Sequence, residues 1–255
     1  MRNFAPTLPR LAGLLALVVI TACSADSPMD PLAASYAKGG HKPPPPPPPP
    51  AHDPILFVHG LNASSATWTT MVSRFTTDGW KSTELANWSY DYTRSNATTA
   101  NLIAKKVDSI LKATGATKVD IITHSMGAMS ARYYIRNLGG DGKVDALVTL
   151  GGANHGTTTA SLCSFFWVSC AEMLPGSNFL NSLNADDETW GTPRYATWWT
   201  QCDEVINPLS SALLAGAANT QTSVCMTHSD LHEDYTVYTQ VKDWVTASAV
   251  LAAAP

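Results

Sequence analysis

Between residues 54 and 150 the chain alternates short apolar runs rich in β-branched residues with stretches of helical periodicity. PILFVH (Pro54–His59) is a buried-strand pattern, and Ala66–Thr77 is helical. Thr83–Tyr90 is a second strand candidate. Thr98–Thr114 carries Leu102, Ile103, Val107, Ile110 and Leu111 on one face, and Gly115 follows it as a C-terminal stop. Val119–Thr123 is the next strand, Met126–Leu138 a helix and Val144–Leu150 another strand. This alternation restricts the chain to an α/β fold with a mostly parallel central sheet flanked by helices. Weaker strand patterns follow at Tyr195–Thr200 and Thr222–Met226, and Thr236–Leu251 is a final helix.

Ahead of this domain the composition changes twice. Residues 1–22 have an export-signal pattern, with Arg2 and Arg10 followed by the apolar run Leu11–Ile20. That run is shorter than the ~20 residues a spanning helix needs. ITAC (Ile20–Cys23) resembles a bacterial lipobox, so Cys23 is the expected lipidation site and the new N-terminus. Residues 23–50 then form a linker ending in eight consecutive prolines, Pro43–Pro50. Such a run extends about 25 Å as polyproline II and would hold residues 51–255 off a membrane surface. The expected location is the cell envelope as an anchored lipoprotein, with free secretion as the alternative.

Four cysteines remain in the domain, and Cys163–Cys170 with Cys202–Cys225 is the economical pairing in an oxidising compartment. No C-x-x-C or His-Cys cluster has metal-ligand spacing, so no metal is expected. The net charge is −4, and no basic block occurs, which argues against nucleic acid as a partner. The Asn-x-Ser/Thr triplets at Asn62, Asn87 and Asn96 are read as chance matches, since a glycan on Asn62 would crowd the loop after the first strand.

The chemistry centres on THSMG (Thr123–Gly127), which places Ser125 between the C-terminal end of a strand and the start of a helix. Ligands and reactive groups collect at that edge of a doubly wound sheet. The pattern fits a strand–serine–helix elbow, where small residues such as Gly127 and Ala128 let two backbones pass closely. Thr123 departs from the usual first Gly. In FVHGLN, Gly60 permits a sharp turn that aims the Leu61 amide inward, so the Leu61 and Met126 amides are the expected oxyanion hole. A triad on this fold runs Ser, acid, His. Asp203 follows a strand pattern at the serine's edge, with Asp186, Asp187 and Glu204 left open. Asp145 starts a strand, at the wrong end. His155 comes too early, and His228 and His232 are equivalent on these grounds.

PILFVHGL, KVDIITHSMG, ARYYIRNLGG and KVDALVTLGGAN, in this order, resemble the class 2 lipases, including compact Bacillus-type enzymes. The resemblance is close over Pro54–Asn154 and loose to Thr200. It returns in shorter matches near Cys202 and His232. It implies an α/β-hydrolase fold and a serine carboxylic ester hydrolase without cofactor, with triacylglycerols the leading substrate. Short-chain esters and polyesters are alternatives, as is a non-catalytic lipid- or partner-binding lipoprotein. The resemblance assigns Asp203 as acid and His232 as base, with His228 structural or supporting. It also carries over the Leu61 and Met126 amides. The expected state is a monomer whose partners are an ester substrate and, through Cys23, a membrane. The segment from 157 to 200, with CSFFWVSC and EMLPGSNFLNSLN, is longer than in compact members. It is either a wall or partial lid over the site or an added helix over ordinary core.

Overall fold

The computed structural model describes residues 50–252, with side chains to residue 247. The expected signal, linker and Cys23 lie outside them. Six strands form one parallel sheet: β1 (Ile55–Val58), β2 (Leu85–Asn87), β3 (Val119–His124), β4 (Val144–Leu150), β5 (Arg194–Trp199) and β6 (Ala218–Gln221). Their spatial order is β2-β1-β3-β4-β5-β6, with every adjacent pair parallel. The order reverses between β1 and β3, so the loops leaving these two strands diverge and leave a crevice at their carboxyl ends.

The strands are apolar on both faces because both faces are covered. Ile55, Phe57 and Ile122 point into a core shared with α1 (Thr69–Thr77) and α6 (Tyr235–Ala252), through Met71, Phe75, Tyr238 and Val241. Their neighbours Leu56, Val58 and Ile121 point the other way. There they meet α2 (Asn96–Thr114) and α3 (Gly127–Asn137), through Ile103, Val107, Tyr134 and Ile135. The α2 helix begins two residues before the sequence pattern predicts. The Ser95 hydroxyl accepts from the Ala97 amide, and Gly115 (φ 74°) ends the helix in the left-handed conformation.

One strand differs from expectation. Thr222–Met226 is not a strand: β6 lies just before it, at the sheet edge, and is polar and mostly exposed. Val224 is exposed, and Cys225 is bonded back to Cys202.

The segment after β4 contains the two short helices α4 (Val168–Glu172) and α5 (Asn178–Leu183). Leu180 and Leu183 of α5 join Met126, Met129 and Ala153 in a third apolar cluster, so this part covers core. Glu172 ties the segment to the start of α2, accepting from the Ser95 hydroxyl and from the amide and side chain of Asn96. A disulfide joins Cys163 to Cys170. Among the described residues no helix is long and apolar enough to cross a membrane.

Candidate active site

Ser125 follows β3 with φ of 56°, a left-handed conformation that costs a non-glycine residue about 1 kcal/mol or more. The surrounding backbone holds it there: the Ser125 amide donates to Leu150 O, and its carbonyl accepts from the amides of Ala128 and Ala153. A Cβ on Gly127 would come within 2.6 Å of the carbonyl oxygens of Val58 and His59. The helix that starts at the serine therefore passes directly over the end of β1. A Cβ on Gly60 would meet the Ser125 Cβ at 2.7 Å, so the loop leaving β1 lies against the serine itself.

That loop is fixed by its own contacts. The Tyr90 hydroxyl donates to His59 O, and the two rings stack with centroids 4.0 Å apart. Burial holds the His59 imidazole below its ordinary pKa and pushes the Tyr90 phenol up. Among the described residues, the amides of Leu61 and Met126 donate to no protein acceptor.

Asp203 lies beyond β5, directly after Cys202, whose disulfide to Cys225 joins it to the segment carrying the histidines. Its Oδ1 accepts from the amides of Val205 (2.9 Å) and Ile206 (2.8 Å). Its Oδ2 is 2.8 Å from Nδ1 of His228, and both side chains are almost wholly buried. The structure thus brings Asp203 to His228 and not to His232, the partner that the resemblance implies. The His232 Nδ1 instead faces Glu233 Oε1 at 3.2 Å. The physical reason is local. A short 3-10 helix, Ser229–His232, turns the chain after His228, leaving His228 at its inner end. The His228 ring then fills space that only a glycine leaves open, because a Cβ on Gly151 would meet its Nδ1 at 2.9 Å.

The Asp203 carboxylate can only accept, so the neutral His228 carries its proton on Nδ1 and leaves Nε2 as a lone pair. Nε2 is buried and has no hydrogen-bond partner. The residue beside the serine, His124, reaches across to this loop: its Nε2 donates to His228 O at 3.0 Å. Its ring packs against those of His228 and His232, at centroid distances of 4.4 and 4.8 Å. Burial foremost, then the neighbouring His228 and His232, keeps His124 well below the ordinary histidine pKa. Burial likewise lowers His232. Desolvation thus favours the uncharged form of His124 and of His232.

Ser125, Leu61, His228 and His232 all line one cavity of about 650 Å³. Thr159, Ala160 and Cys163 of the inserted segment form part of its wall. No Asp, Glu, Lys or Arg lines it. Other candidates lie elsewhere. His155 pairs with Glu188 at 2.7 Å, and Asp186 is exposed beside Arg136. Glu204 accepts from the His228 amide and so supports the same loop as Asp203. The contact of His124 with the His228 loop is not evident from the sequence. Its only sequence signal is its place before the serine.

The described carboxylates closest to a metal-ligand set are Asp53, Asp120 and Asp145, at the opposite end of the sheet. Lys118 and Arg194 lie beside Asp145 and supply countercharge there. Burial, followed by the nearby Asp145, raises Asp53 to about 6. Burial also raises Asp120 well above the carboxylate range.

A family model described as Lipase (class 2) matches residues 52–248. Bacillus licheniformis lipase BlEst2 in mature form superposes with a TM-score of 0.66 at 18% identity, covering 78% of this chain and 94% of that one. Aspergillus fumigatus lipase B gives 0.65 at 15% identity, covering 76% of this chain and 52% of that one. An α/β-hydrolase from the metagenome of lagoon sediments of Mar Chica, Morocco, MGS-MChE2, gives 0.54 at 17% identity, with 77% and 91% covered. At these identities the likeness speaks for the fold, which is that of the α/β-hydrolases.

Proposed function

The chain belongs to the class 2 lipase family, and on that premise we propose that it is a serine carboxylic ester hydrolase acting on acylglycerols, triacylglycerols first. The observation that carries this reading is the buried Asp203–His228 pair, 2.8 Å apart, whose histidine lines the same cavity as the strained elbow of Ser125. In the proposed reaction His228 Nε2 takes the proton from Ser125 Oγ as the oxygen attacks the ester carbonyl. Asp203 Oδ2 holds Nδ1–H, fixing the tautomer and stabilising the imidazolium that forms. The Leu61 and Met126 amides receive the oxyanion. One such donor is worth about 3 kcal/mol. His228 then protonates the departing alcohol, and later activates the water that hydrolyses the acyl-enzyme.

His228 thus takes the role that the sequence resemblance assigns to His232. We read the protein as exported, a reading that its two disulfides favour. Attachment through a lipidated Cys23 and a monomeric state belong to the same proposal.

The test is hydrolysis of a graded ester series, from soluble short-chain esters to emulsified long-chain triacylglycerol, with Ser125→Ala alongside. Activity that persists on the emulsion and vanishes in the variant is expected. Activity confined to short esters would make the protein an esterase. Turnover that survives in Ser125→Ala would overturn the assignment.

A further inference from the structure

The described residues include eight large apolar side chains that stand exposed, and four of them fall within seven consecutive positions: Leu162, Phe165, Phe166 and Val168. Leu162, Phe165 and Phe166 are 83%, 94% and 80% exposed. This clustering is not the scatter of single apolar residues that any surface carries. Phe165 and Phe166 occupy the tip of the loop closed by Cys163–Cys170. The following residue, Trp167, turns inward and packs edge-on against Tyr92. The tip is therefore held out from a braced base: the disulfide closes it, Trp167 seats it, and Glu172 bonds the adjoining helix to Ser95 and Asn96. A loop already ordered loses little further freedom on meeting a partner.

Position and charge identify that partner. Cys163, at the base of the loop, also lines the cavity that holds Ser125, so the loop springs from the cavity wall. The protein has 36 Lys, Arg, Asp and Glu residues, yet none occurs between Asp145 and Glu172, and none lines the cavity. A loop that presents exposed phenylalanines and carries no charged residue suits an uncharged apolar phase. An anionic bilayer would call for Lys or Arg on this loop.

We propose that the Cys163–Cys170 loop is a docking device that inserts Phe165 and Phe166 into the surface of an uncharged acyl-ester lipid phase, setting the mouth of the Ser125 cavity against it. This rests on the reading that Ser125 acts on lipid esters, and it adds the surface from which the substrate enters.

Docking can be measured without catalysis. Ser125→Ala protein would be mixed with triacylglycerol droplets and floated by centrifugation, beside the same protein carrying Phe165→Ser and Phe166→Ser. The expected result is a droplet-bound fraction that the double substitution lowers about tenfold or more. Binding should not change between 0.1 and 1 M salt, because no ion pair contributes. With Ser125 restored, the double variant should hydrolyse a soluble short-chain ester within about twofold of the parent while losing turnover on droplets. Leu162→Ser provides an independent variant should the double one fold poorly. Undiminished flotation would overturn the proposal. So would preferential binding to phosphatidylglycerol vesicles with salt-sensitive affinity, or a dimer in sedimentation that the double substitution dissociates. Loss of soluble-ester activity in the unsubstituted protein would instead count against the hydrolase reading and leave the flotation result standing.

Discussion

His124 and His228 are joined across the candidate site by a single bond, from the Nε2 of the first to the backbone carbonyl of the second, 3.0 Å apart. Because His124 immediately precedes Ser125, the strand that carries the proposed nucleophile also restrains the loop that carries the proposed base. Removing the donor leaves a buried carbonyl unpaired, at a cost of about 1–3 kcal/mol. His124→Phe should lower kcat on a soluble ester about tenfold or more while leaving KM within about twofold. His124→Gln, which keeps a donor, should recover part of the loss. Equal melting temperatures in the two variants, with unequal kcat, would locate the effect in positioning rather than in folding.

The two histidines separated by four residues should behave unequally. His228→Ala removes the partner of Asp203, and activity should fall about a thousandfold or more. His232→Ala removes a cavity-lining ring bonded only to Glu233, and the loss should stay under about tenfold. Steady-state rates of the two purified variants decide this, and the reverse ranking would return the base to His232.

The two glycines at the elbow have different neighbours and should fail differently. A methyl at Gly127 meets backbone carbonyls of β1, which cannot rotate away. Gly127→Ala should therefore lower global stability by about 1–3 kcal/mol, the usual cost of overpacking. At Gly60 the nearest obstacles are the Cβ of Ser125 and the carbonyl oxygen of His124, so the strain falls on the serine and its neighbour. Gly60→Ala should reduce turnover far more than it reduces the denaturation midpoint. Urea unfolding and ester hydrolysis on the same samples would separate the two.

Stability should respond to pH through Asp53. Its folded value of about 6 lies above the ordinary 3.8. The native state therefore binds more protons than the unfolded chain between these values, and stability falls as pH rises through that window. Above about pH 6 the penalty is complete. Asp53→Asn should raise the melting temperature at pH 8 by a few degrees, and the gain should vanish below about pH 4. A gain independent of pH would mean that packing, not ionisation, is responsible.

The sequence carries the sheet well where strands are buried. Both faces of β1, β3 and β4 are covered, so their apolar runs stand out, and Val144–Leu150 is found with the expected bounds. The edge strand β6 has the opposite character. Ala-Asn-Thr-Gln faces mostly solvent, leaves no apolar pattern, and is passed over for the apolar residues just beyond it. The elbow is legible because its needs are local: small residues beside Ser125 and a glycine in the loop facing it. The choice between His228 and His232 is not local. It depends on a short 3-10 turn and on the space above Gly151, which comes from a different strand end. The inserted segment divides in the same way. The apolar spacing of α5 announces a covered face, whereas nothing in CSFFWVSC says that its phenylalanines point outward while its tryptophan points in.

The parallel sheet also keeps two kinds of buried chemistry apart. Asp53, Asp120 and Asp145 gather where the strands begin, while Ser125, Asp203 and His228 gather where they end. A whole strand length stands between the groups whose protonation weakens or strengthens the fold and those proposed to make and break bonds. Tolerance of alkaline conditions can therefore be raised at one pole of the molecule by exchanging carboxylates for amides. The opposite pole need not register the change, so durability and reactivity are open to separate adjustment in one small domain.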